Sequence, residues 1–262
     1  RSSAASDVYK RQQYLKEALA MPSLLRIASA TPDPQDIHAD VWHAHALAAS
    51  PPQVQPTGDA LLDAQLPGGG WPVGALVELL QPAGVHSEWR LLLPALARCG
   101  QGPVVLVGAP YLPFAPALAA LGLRAGRLLM VGEVGVAQDG RLWATEQLLR
   151  CAEVDAVLAW LPQVRSDQLR RLQMAAAEHH KLLFVMRPAT LQAEASPAAL
   201  RLVLQPRPPA PRPQPDTLAV HIVKRRGPPL AQPLQLGARA ARLATLLAAE
   251  GAHALDRTAA HA

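Results

Sequence analysis

Short apolar runs alternate with longer segments of helical pattern through the middle of the chain. Five of these runs predict buried strands, at residues 75–80, 103–107, 127–131, 155–160 and 181–186. Four intervening segments predict helices, at residues 88–98, 114–121, 140–150 and 166–179. Strands that alternate with helices of about 10–15 residues indicate a mostly parallel sheet with helices on both faces, so the predicted fold class is α/β.

This alternation defines a core domain that we predict to span residues 57–237. Two further strands are expected near its end, at residues 200–204 and 218–224, and the core contains no internal repeat. The stretch between these two strands, residues 205–215, is rich in proline, which is typical of a linker or an extended loop.

The two ends of the chain show weaker patterns than the core. Residues 1–20 begin with a polar stretch without a clear element, and we expect them to be a non-native or disordered leader, with the native start at Met21. Residues 21–56 are predicted to hold a short helix, near 36–49, and a linker that ends in prolines. Residues 238–262 are predicted to form a C-terminal helix and a flexible tail.

Composition places the chain among ordinary globular proteins. Half of its 262 residues are hydrophobic, and 17% are charged. The two cysteines, Cys99 and Cys151, make no disulfide framework, and we expect both to be buried as small apolar residues in a reducing cytosol. The apolar runs are short and no apolar signal region follows a basic start, so we expect a cytoplasmic protein without membrane contact.

Metal and hydrolase chemistry find no support in the sequence pattern. His43 and His45 lie two apart, and His179 and His180 are adjacent; neither spacing matches a zinc site with supporting cysteines or acids. No nucleophile motif such as G-x-S-x-G accompanies a Ser/His/Asp set. We therefore expect no metal ligands and no catalytic residues.

The turn between the first strand and the first helix is where a nucleotide phosphate would bind in such a fold. A working phosphate loop follows G-x-x-x-x-G-K-[ST]; its Lys neutralises phosphate charge and its Ser/Thr binds Mg²⁺. On that frame Gln81 and His86 stand for the glycines, Ser87 for the Lys and Glu88 for the Ser/Thr, with Pro82 and Gly84 between them. A carboxylate at the mouth of the loop would repel a triphosphate, so we expect no cofactor. The local pattern is also typical of a strand–helix turn that never bound nucleotide.

The block around this turn resembles the entry to the RecA recombinase core. That family has Thr-Gly, a Leu/Asp pair, a Gly-rich turn and a Gly-x-hydrophobic-x-Glu strand before its phosphate loop. Here these features are Thr57-Gly58, Leu62 and Asp63, Gly68–Gly70, Gly74 and Glu78. Later passages match in order and pattern, so the resemblance covers roughly residues 57–236. It implies a RecA-like core of the P-loop NTPase type with a degenerate phosphate loop.

Three departures from the family pattern bear on chemistry. The loop Lys is replaced by Ser87, the acid of the Walker B strand would fall at or near Trp160, and the acid that polarises the attacking water would fall near Pro110. Phosphoryl transfer depends on positioning and on charge stabilisation. The resemblance therefore implies a protein that does not hydrolyse ATP and that acts by binding.

Within this superfamily the chain resembles the ImuA family of translesion-synthesis-associated proteins, also described as RecA-like or SulA-like. The resemblance lies in residues 41–45, 66–80, 91–97, 157–162, 170–175 and 222–229, and its GGGWP and KRRGPP blocks are the most specific. It implies an accessory role in SOS-induced, error-prone DNA synthesis. The implied partners are an ImuB-type inactive Y-family polymerase-like protein and an error-prone replicative-type DNA polymerase, with RecA and DNA as further candidates.

A basic turn is the candidate for DNA contact. Lys224, Arg225 and Arg226 lie in a region, 201–242, whose only acid is Asp216. Such a patch suits contact with phosphates, although charge runs are also typical of a solvated rim. No aromatic residue accompanies the basic turn, which weakens the case for binding single-stranded bases by stacking.

The predicted C-terminal helix is the candidate for partner contact. Leu243, Leu246 and Leu247 lie near one face of it. That face could dock on a partner or pack on its own domain.

Two other functions stay open from the sequence. The first is an ATPase with an atypical phosphate loop, in which Lys224, Arg225 or Arg226 would supply the missing charge; it would bind Mg²⁺ and ATP, and Gly84→Trp would abolish that binding. The second is a SulA-like inhibitor of cell division, which an assembly assay with purified FtsZ would reveal.

Overall fold

The computed structural model describes residues 53–132, 138–206, 217–228 and 230–237. The predicted leader, the N-terminal helical segment and the C-terminal helix with Leu243, Leu246 and Leu247 lie outside the described residues. Most of the predicted proline-rich loop lies outside them as well.

The described part of the chain contains ten strands. They are β1 (Val54–Gln55), β2 (Trp71–Pro72), β3 (Ala75–Gln81), β4 (Val104–Val107), β5 (Leu128–Val131), β6 (Ala156–Trp160), β7 (Leu182–Pro188), β8 (Leu200–Pro206), β9 (Thr217–Lys224) and β10 (Leu234–Gly237). The seven predicted strands are confirmed as β3 to β9, while β1, β2 and β10 were not predicted.

The four predicted helices are also confirmed. The helices are α1 (Ala60–Asp63), α2 (Glu88–Leu96), α3 (Ala115–Ala120), α4 (Gln138–Arg150) and α5 (Ser166–Glu178), with 3₁₀ turns at Ala125–Arg127 and Ala189–Ala193. Helix α2 continues through Pro94, and α3 ends before Gly122, whose φ of +97° is the left-handed conformation that glycine adopts readily.

One eight-stranded sheet organises the described residues, in the order β10-β9-β8-β3-β7-β6-β4-β5. The strands from β8 to β5 in this order are parallel to their neighbours, whereas β9 and β10 are added antiparallel at one edge. The architecture is thus α/β with a mostly parallel, mixed sheet, and it is compatible with a Rossmann-like or RecA-like core.

Helices cover both faces of this sheet, because each central strand presents apolar side chains alternately to its two sides. Leu106 of β4 belongs to the cluster that contains Leu92 of α2. Its neighbour Val105 belongs to the other cluster, with Leu149 of α4 and Leu172 of α5. Burying each such leucine stabilises the fold by about 1.5–3 kcal/mol.

The Thr-Gly and Asp residues at the start of the core, within residues 57–63, have structural roles. The amide of Thr57 donates to Asp63, at 2.8 Å, and the carboxylate of Asp59 caps the first turn of α1. Gly58 has φ +89°, and a Cβ there would lie 2.6 Å from the Cβ of Pro94 on α2. These features of the RecA resemblance therefore fix the path of the chain onto α2.

A charged cluster joins three strands inside the sheet. Glu78 of β3 is fully buried and accepts from Arg187 of β7 at 2.9 Å and from Arg201 of β8 at 2.5 Å. Arg187 also reaches Glu194, while Arg201 donates to backbone carbonyls of residues 191, 192 and 194. Arg201 is 5% exposed, so its inclusion in a basic surface region was wrong.

The cysteines differ from each other and from the prediction. Cys99 is half-buried, and Cys151, expected to be buried, is exposed. Among the described helices, none combines the length and apolar character that crossing a bilayer requires.

Candidate functional site

A cavity of about 380 Å³ opens beyond the carboxyl ends of β3, β4, β6 and β7. It is lined by residues 81–86, residues 108–110, Arg141, Trp160, Pro162 and residues 186–188. Ligands of open α/β sheets bind at this edge, where loops leave the strands. The cavity is therefore the candidate functional site.

The turn after β3 forms one wall of the cavity. The amide of Val85 donates to the carbonyl of Pro82 at 3.1 Å, which closes a tight turn. Gly84 adopts φ +73°, as the third position of a type II turn requires, and a Cβ there would meet nothing within 4 Å. Because the space beside Gly84 is open, a large side chain introduced there would extend into it. A substitution at this position therefore tests whether that space is needed for binding.

The side chain of Gln81 closes the base of the loop. Its Oε1 accepts from the amide of Ser87 at 2.7 Å, and its Nε2 donates to Glu88 Oε2 at 2.8 Å. A phosphate loop directs such backbone amides at phosphate oxygens. Here the carboxamide oxygen of Gln81 takes the amide of Ser87, so that donor is not free for a ligand.

The carboxylate of Glu88 does not lie at the mouth of the loop, and that prediction was wrong. Glu88 is 2% exposed, and its carboxylate turns inward to Gln81 and lies 3.8 Å from Nδ1 of His86. His86 in turn packs edge-on against Tyr111, with 5.0 Å between ring centroids. The carboxylate thus supports the loop from within instead of facing a ligand.

The loop itself carries no Lys or Arg between β3 and α2. Ser87 precedes the first turn of α2, is 6% exposed, and makes no side-chain capping bond. Its short hydroxyl cannot replace a lysine that spans to phosphate oxygens. The site therefore differs from a phosphate loop in charge as well as in backbone donors.

The two positions predicted to have lost acids do meet at the cavity. Pro110 follows β4 and Trp160 ends β6, and both line the same space as the loop. Neither side chain can coordinate Mg²⁺ or polarise water as a carboxylate does. The sequence analysis therefore identified two strand ends that do line the cavity, but it did not identify the other residues that line it.

Two arginines at the cavity were missed by the sequence analysis. Arg141 lies in the first half of α4, where its Cδ packs close to Gly108, and Arg187 lies near the end of β7. The charged Arg187 within an otherwise apolar strand was a usable signal of a buried role. Arg141 gave no such signal, because an arginine on an amphipathic helix is most often solvated.

The basic turn after β9 is not part of the cavity lining. Lys224 is exposed and donates to the carbonyl of Ser196 at 2.7 Å. Arg225 is half-buried and ties the turn to the backbone carbonyls of Gln65 and Pro228. Arg226 is exposed. Lys224 and Arg226 therefore expose their charge at the surface, whereas Arg225 holds the turn in place through hydrogen bonds to backbone carbonyls.

Within the described ranges no group of three His, Cys, Asp or Glu residues is arranged to hold a metal ion. His43 and His45 lie outside the described residues. His179 and His180 follow α5, at the end of the sheet away from the cavity.

No protein-family model matches the chain, and no curated protein matches it.

Proposed function

We propose that the chain is a non-catalytic, RecA-like accessory protein of an SOS-induced, error-prone translesion DNA synthesis complex. Its core would be a P-loop NTPase fold whose phosphate loop has degenerated, and it would act in the cytoplasm by binding a polymerase-like partner, with DNA or RecA as further contacts. The family resemblance of residues 57–236 supplies the biological context.

One observation carries the non-catalytic part of this proposal. Gln81 occupies the loop with its own side chain, bonded to the amide of Ser87 and to Glu88. A triphosphate would have to displace that carboxamide without a loop Lys to compensate its charge. Hydrolysis would further need the acids that Pro110 and Trp160 have replaced.

Co-expression with an ImuB-type polymerase-like protein tests the binding part. The two proteins should co-purify without added nucleotide, and the error-prone replicative-type polymerase should join them. Leu243→Asp, Leu246→Asp and Leu247→Asp combined should weaken the complex if the C-terminal helix docks on the partner, because charge on an apolar docking face is costly. Failure of the parent chain to associate with the polymerase-like protein would contradict the adaptor role.

An ATPase is the alternative with a defined test. It needs cations near the phosphates, yet Lys224 and Arg225 donate to backbone carbonyls and neither belongs to the cavity lining. Calorimetric titration with Mg²⁺ and ATP should give no binding. Micromolar binding that Gly84→Trp abolishes would favour the ATPase over the accessory protein.

A further inference from the structure

Buried donors without acceptors are concentrated at the cavity. Among the described residues, five buried side-chain nitrogen or oxygen atoms lack a hydrogen-bond partner. Three of the five are Nε of Arg141, Nε1 of Trp160 and Nε of Arg187, and all three residues line the cavity. Nearly all buried polar groups in proteins are hydrogen-bonded, so such a concentration indicates a ligand that supplies acceptors.

Trp160 and Arg187 are the most secluded of these donors. Trp160 is 8% exposed and Arg187 is 5% exposed. Two of the three guanidinium nitrogens of Arg187 are already engaged, by Glu78, Glu194 and the carbonyl of Val164. Those partners fix the guanidinium, and its buried Nε–H has no acceptor among the described residues.

The charge at the cavity favours one negative charge on the ligand. The charge of Arg187 is balanced within the cluster of Glu78, Glu194 and Arg201. The guanidinium of Arg141 makes no ion pair or hydrogen bond with the part of the chain that the structure describes, and the described lining residues include no Asp or Glu. One arginine for which the described residues supply no counter-ion suits a monoanion, whereas a triphosphate would bring several charges into a largely apolar site.

The walls favour an apolar body on that anion. Pro82, Ala83 and Val85 line one side, and Met186 and Pro188 line another. A guanidinium presents flat, parallel donors that match a carboxylate. The amide of Ser87, which a phosphate would need, is taken by Gln81.

We propose that this cavity binds a small monocarboxylate with an apolar body. Its carboxylate accepts from Arg141, Trp160 and Arg187, and its apolar part lies against the proline, valine and methionine walls. A free carboxylic acid and the C-terminal carboxylate of an apolar-ended polypeptide share this chemistry. The inference rests on the cavity alone and is independent of the proposed role in DNA synthesis.

The indole N–H of Trp160 provides a direct readout of binding. In ¹⁵N-labelled protein, one of the five tryptophan indole signals belongs to Trp160 and is identified by its loss in Trp160→Phe or by through-bond assignment. Benzoate, hexanoate and N-acetyl-L-leucine are titrated, each beside its uncharged amide. We expect a saturable downfield shift of the Trp160 signal with an acid, and affinity at least about tenfold weaker for the matching amide. Preference for N-acetyl-L-leucine points to a polypeptide terminus, and preference for benzoate or hexanoate to a free acid.

Variants of two arginines separate the proposed contact from general charge. Arg141→Gln should weaken acid binding at least about tenfold, since it removes the cation for which the described residues supply no counter-ion. Arg124→Gln is the matched control, because Arg124 is exposed, pairs with Gln101 and is not among the lining residues; it should leave binding unchanged.

The proposal is overturned if no acid gives a saturable shift, if amides bind as well as acids, or if Arg141→Gln binds like the parent. It is also overturned if Mg²⁺ and ATP shift the Trp160 signal while none of the acids does. Co-purification with the polymerase-like protein is scored separately, so failure of either proposal leaves the other standing.

Discussion

At the scale of single residues, the stability of the sheet centre depends on one carboxylate shared by two arginines. Glu78 is fully buried, and Arg187 and Arg201 are 5% exposed, so none of the three can turn to water for compensation. A buried ion pair contributes little by itself, because desolvation offsets attraction. Removing one member is different, since the remaining charge stays buried without its partner.

Glu78→Gln should therefore destabilise the fold by about 3–5 kcal/mol. The change keeps the side-chain volume and removes only the charge that faces Arg187 and Arg201. Urea unfolding, compared at equal slope, measures the loss. Asp167→Asn is the matched control, because Asp167 pairs with Arg165 in an ion pair whose two side chains are exposed. The urea midpoint of Asp167→Asn should equal that of the parent. A Glu78→Gln midpoint equal to that of the parent would show that the cluster is not a structural charge centre.

The two cysteines should differ in reactivity. Burial raises the pKa of the Cys99 thiol, although its hydrogen bond from Arg127 acts in the opposite direction. Because the thiolate is the reactive form, Cys151, which is exposed, should be alkylated first by iodoacetamide. A group whose pKa is raised on folding stabilises the fold below its unfolded pKa, and that contribution is lost as the pH rises through the folded value. Stability should accordingly fall above about pH 8.5, where an unfolded cysteine begins to ionise.

Mass spectrometry of the alkylated peptides measures both rates in one sample. Cys99→Ser should remove the part of the alkaline loss of stability that comes from this thiol, whereas Cys151→Ser should not. Equal alkylation rates for the two cysteines in the folded protein would contradict the raised pKa.

Sequence reasoning reached some site residues and not others for a physical reason. Pro110 and Trp160 were located at the cavity because each lies at or just after the end of a strand whose apolar run is visible in the sequence. Arg141 lies on helix α4, and its long side chain extends to the cavity. A pattern of apolar and polar positions does not show where a long side chain ends. Gln81 was seen as a lost glycine, but its bonds to Ser87 and Glu88 depend on rotamers that only coordinates reveal.

At the scale of elements, length and apolar content together decided what could be predicted. Strands β3 to β9 and helices α2 to α5 carry apolar runs or periodicity that mark them. Strands β1 and β2 have two residues each, which is too short for a signal. Strand β10 has four residues, as β4 and β5 do, but its sequence LQLG contains only two apolar side chains and no continuous apolar run. The placement of β3 between β7 and β8 was also beyond the pattern, because it depends on crossovers between distant segments.

The turn after β9 separates a structural arginine from two surface cations. Lys224→Gln with Arg226→Gln should weaken non-specific duplex DNA binding and lower the slope of log K against log salt by about 2, since two phosphate contacts are lost. Arg225→Gln should instead cost about 1 kcal/mol of stability, because it ties the turn to Gln65 and Pro228.

Fluorescence anisotropy over a salt series and thermal unfolding provide the two measurements. An unchanged salt slope in the double variant would rule out Lys224 and Arg226 as the DNA contact. A stable Arg225→Gln protein with weakened DNA binding would assign the contact to Arg225 instead.

At the scale of the whole molecule, the parallel strands of the sheet bring their loops together around a cavity. Four parallel strands deliver their loops to one cavity, which is the general arrangement of open α/β sheets. The sequence predicted this arrangement because strand and helix periods are regular across the core. It did not predict that a cavity is present next to a loop that the side chain of Gln81 closes, because the packing of this loop depends on a few side-chain hydrogen bonds.

Introducing a phosphate-loop sequence tests whether the closure of the loop and its lack of a cation account for the absence of nucleotide binding that the proposed function expects. Gln81→Gly, His86→Gly, Ser87→Lys and Glu88→Thr combined remove the carboxamide and its partner together, so no buried carboxylate is left unpaired, and supply the missing cation. We expect affinity for Mg²⁺ and ATP to rise at least about tenfold over the parent, because a charge-assisted contact and freed amides are added.

Turnover should nevertheless stay at the level of the uncatalysed reaction in the restored variant. On the proposed RecA-like frame, Pro110 and Trp160 still occupy the positions of the acids that orient Mg²⁺ and the attacking water, and phosphoryl transfer depends on both. The same variant with Ser87→Met in place of Ser87→Lys keeps the opened loop without the charge, and it should gain less affinity than the lysine variant, because only the freed amides contribute. Calorimetry and phosphate release measure the two effects separately. If the lysine variant fails to bind, the cavity walls exclude nucleotide independently of charge, and if it hydrolyses ATP, residues other than these two strand ends supply the catalytic acids.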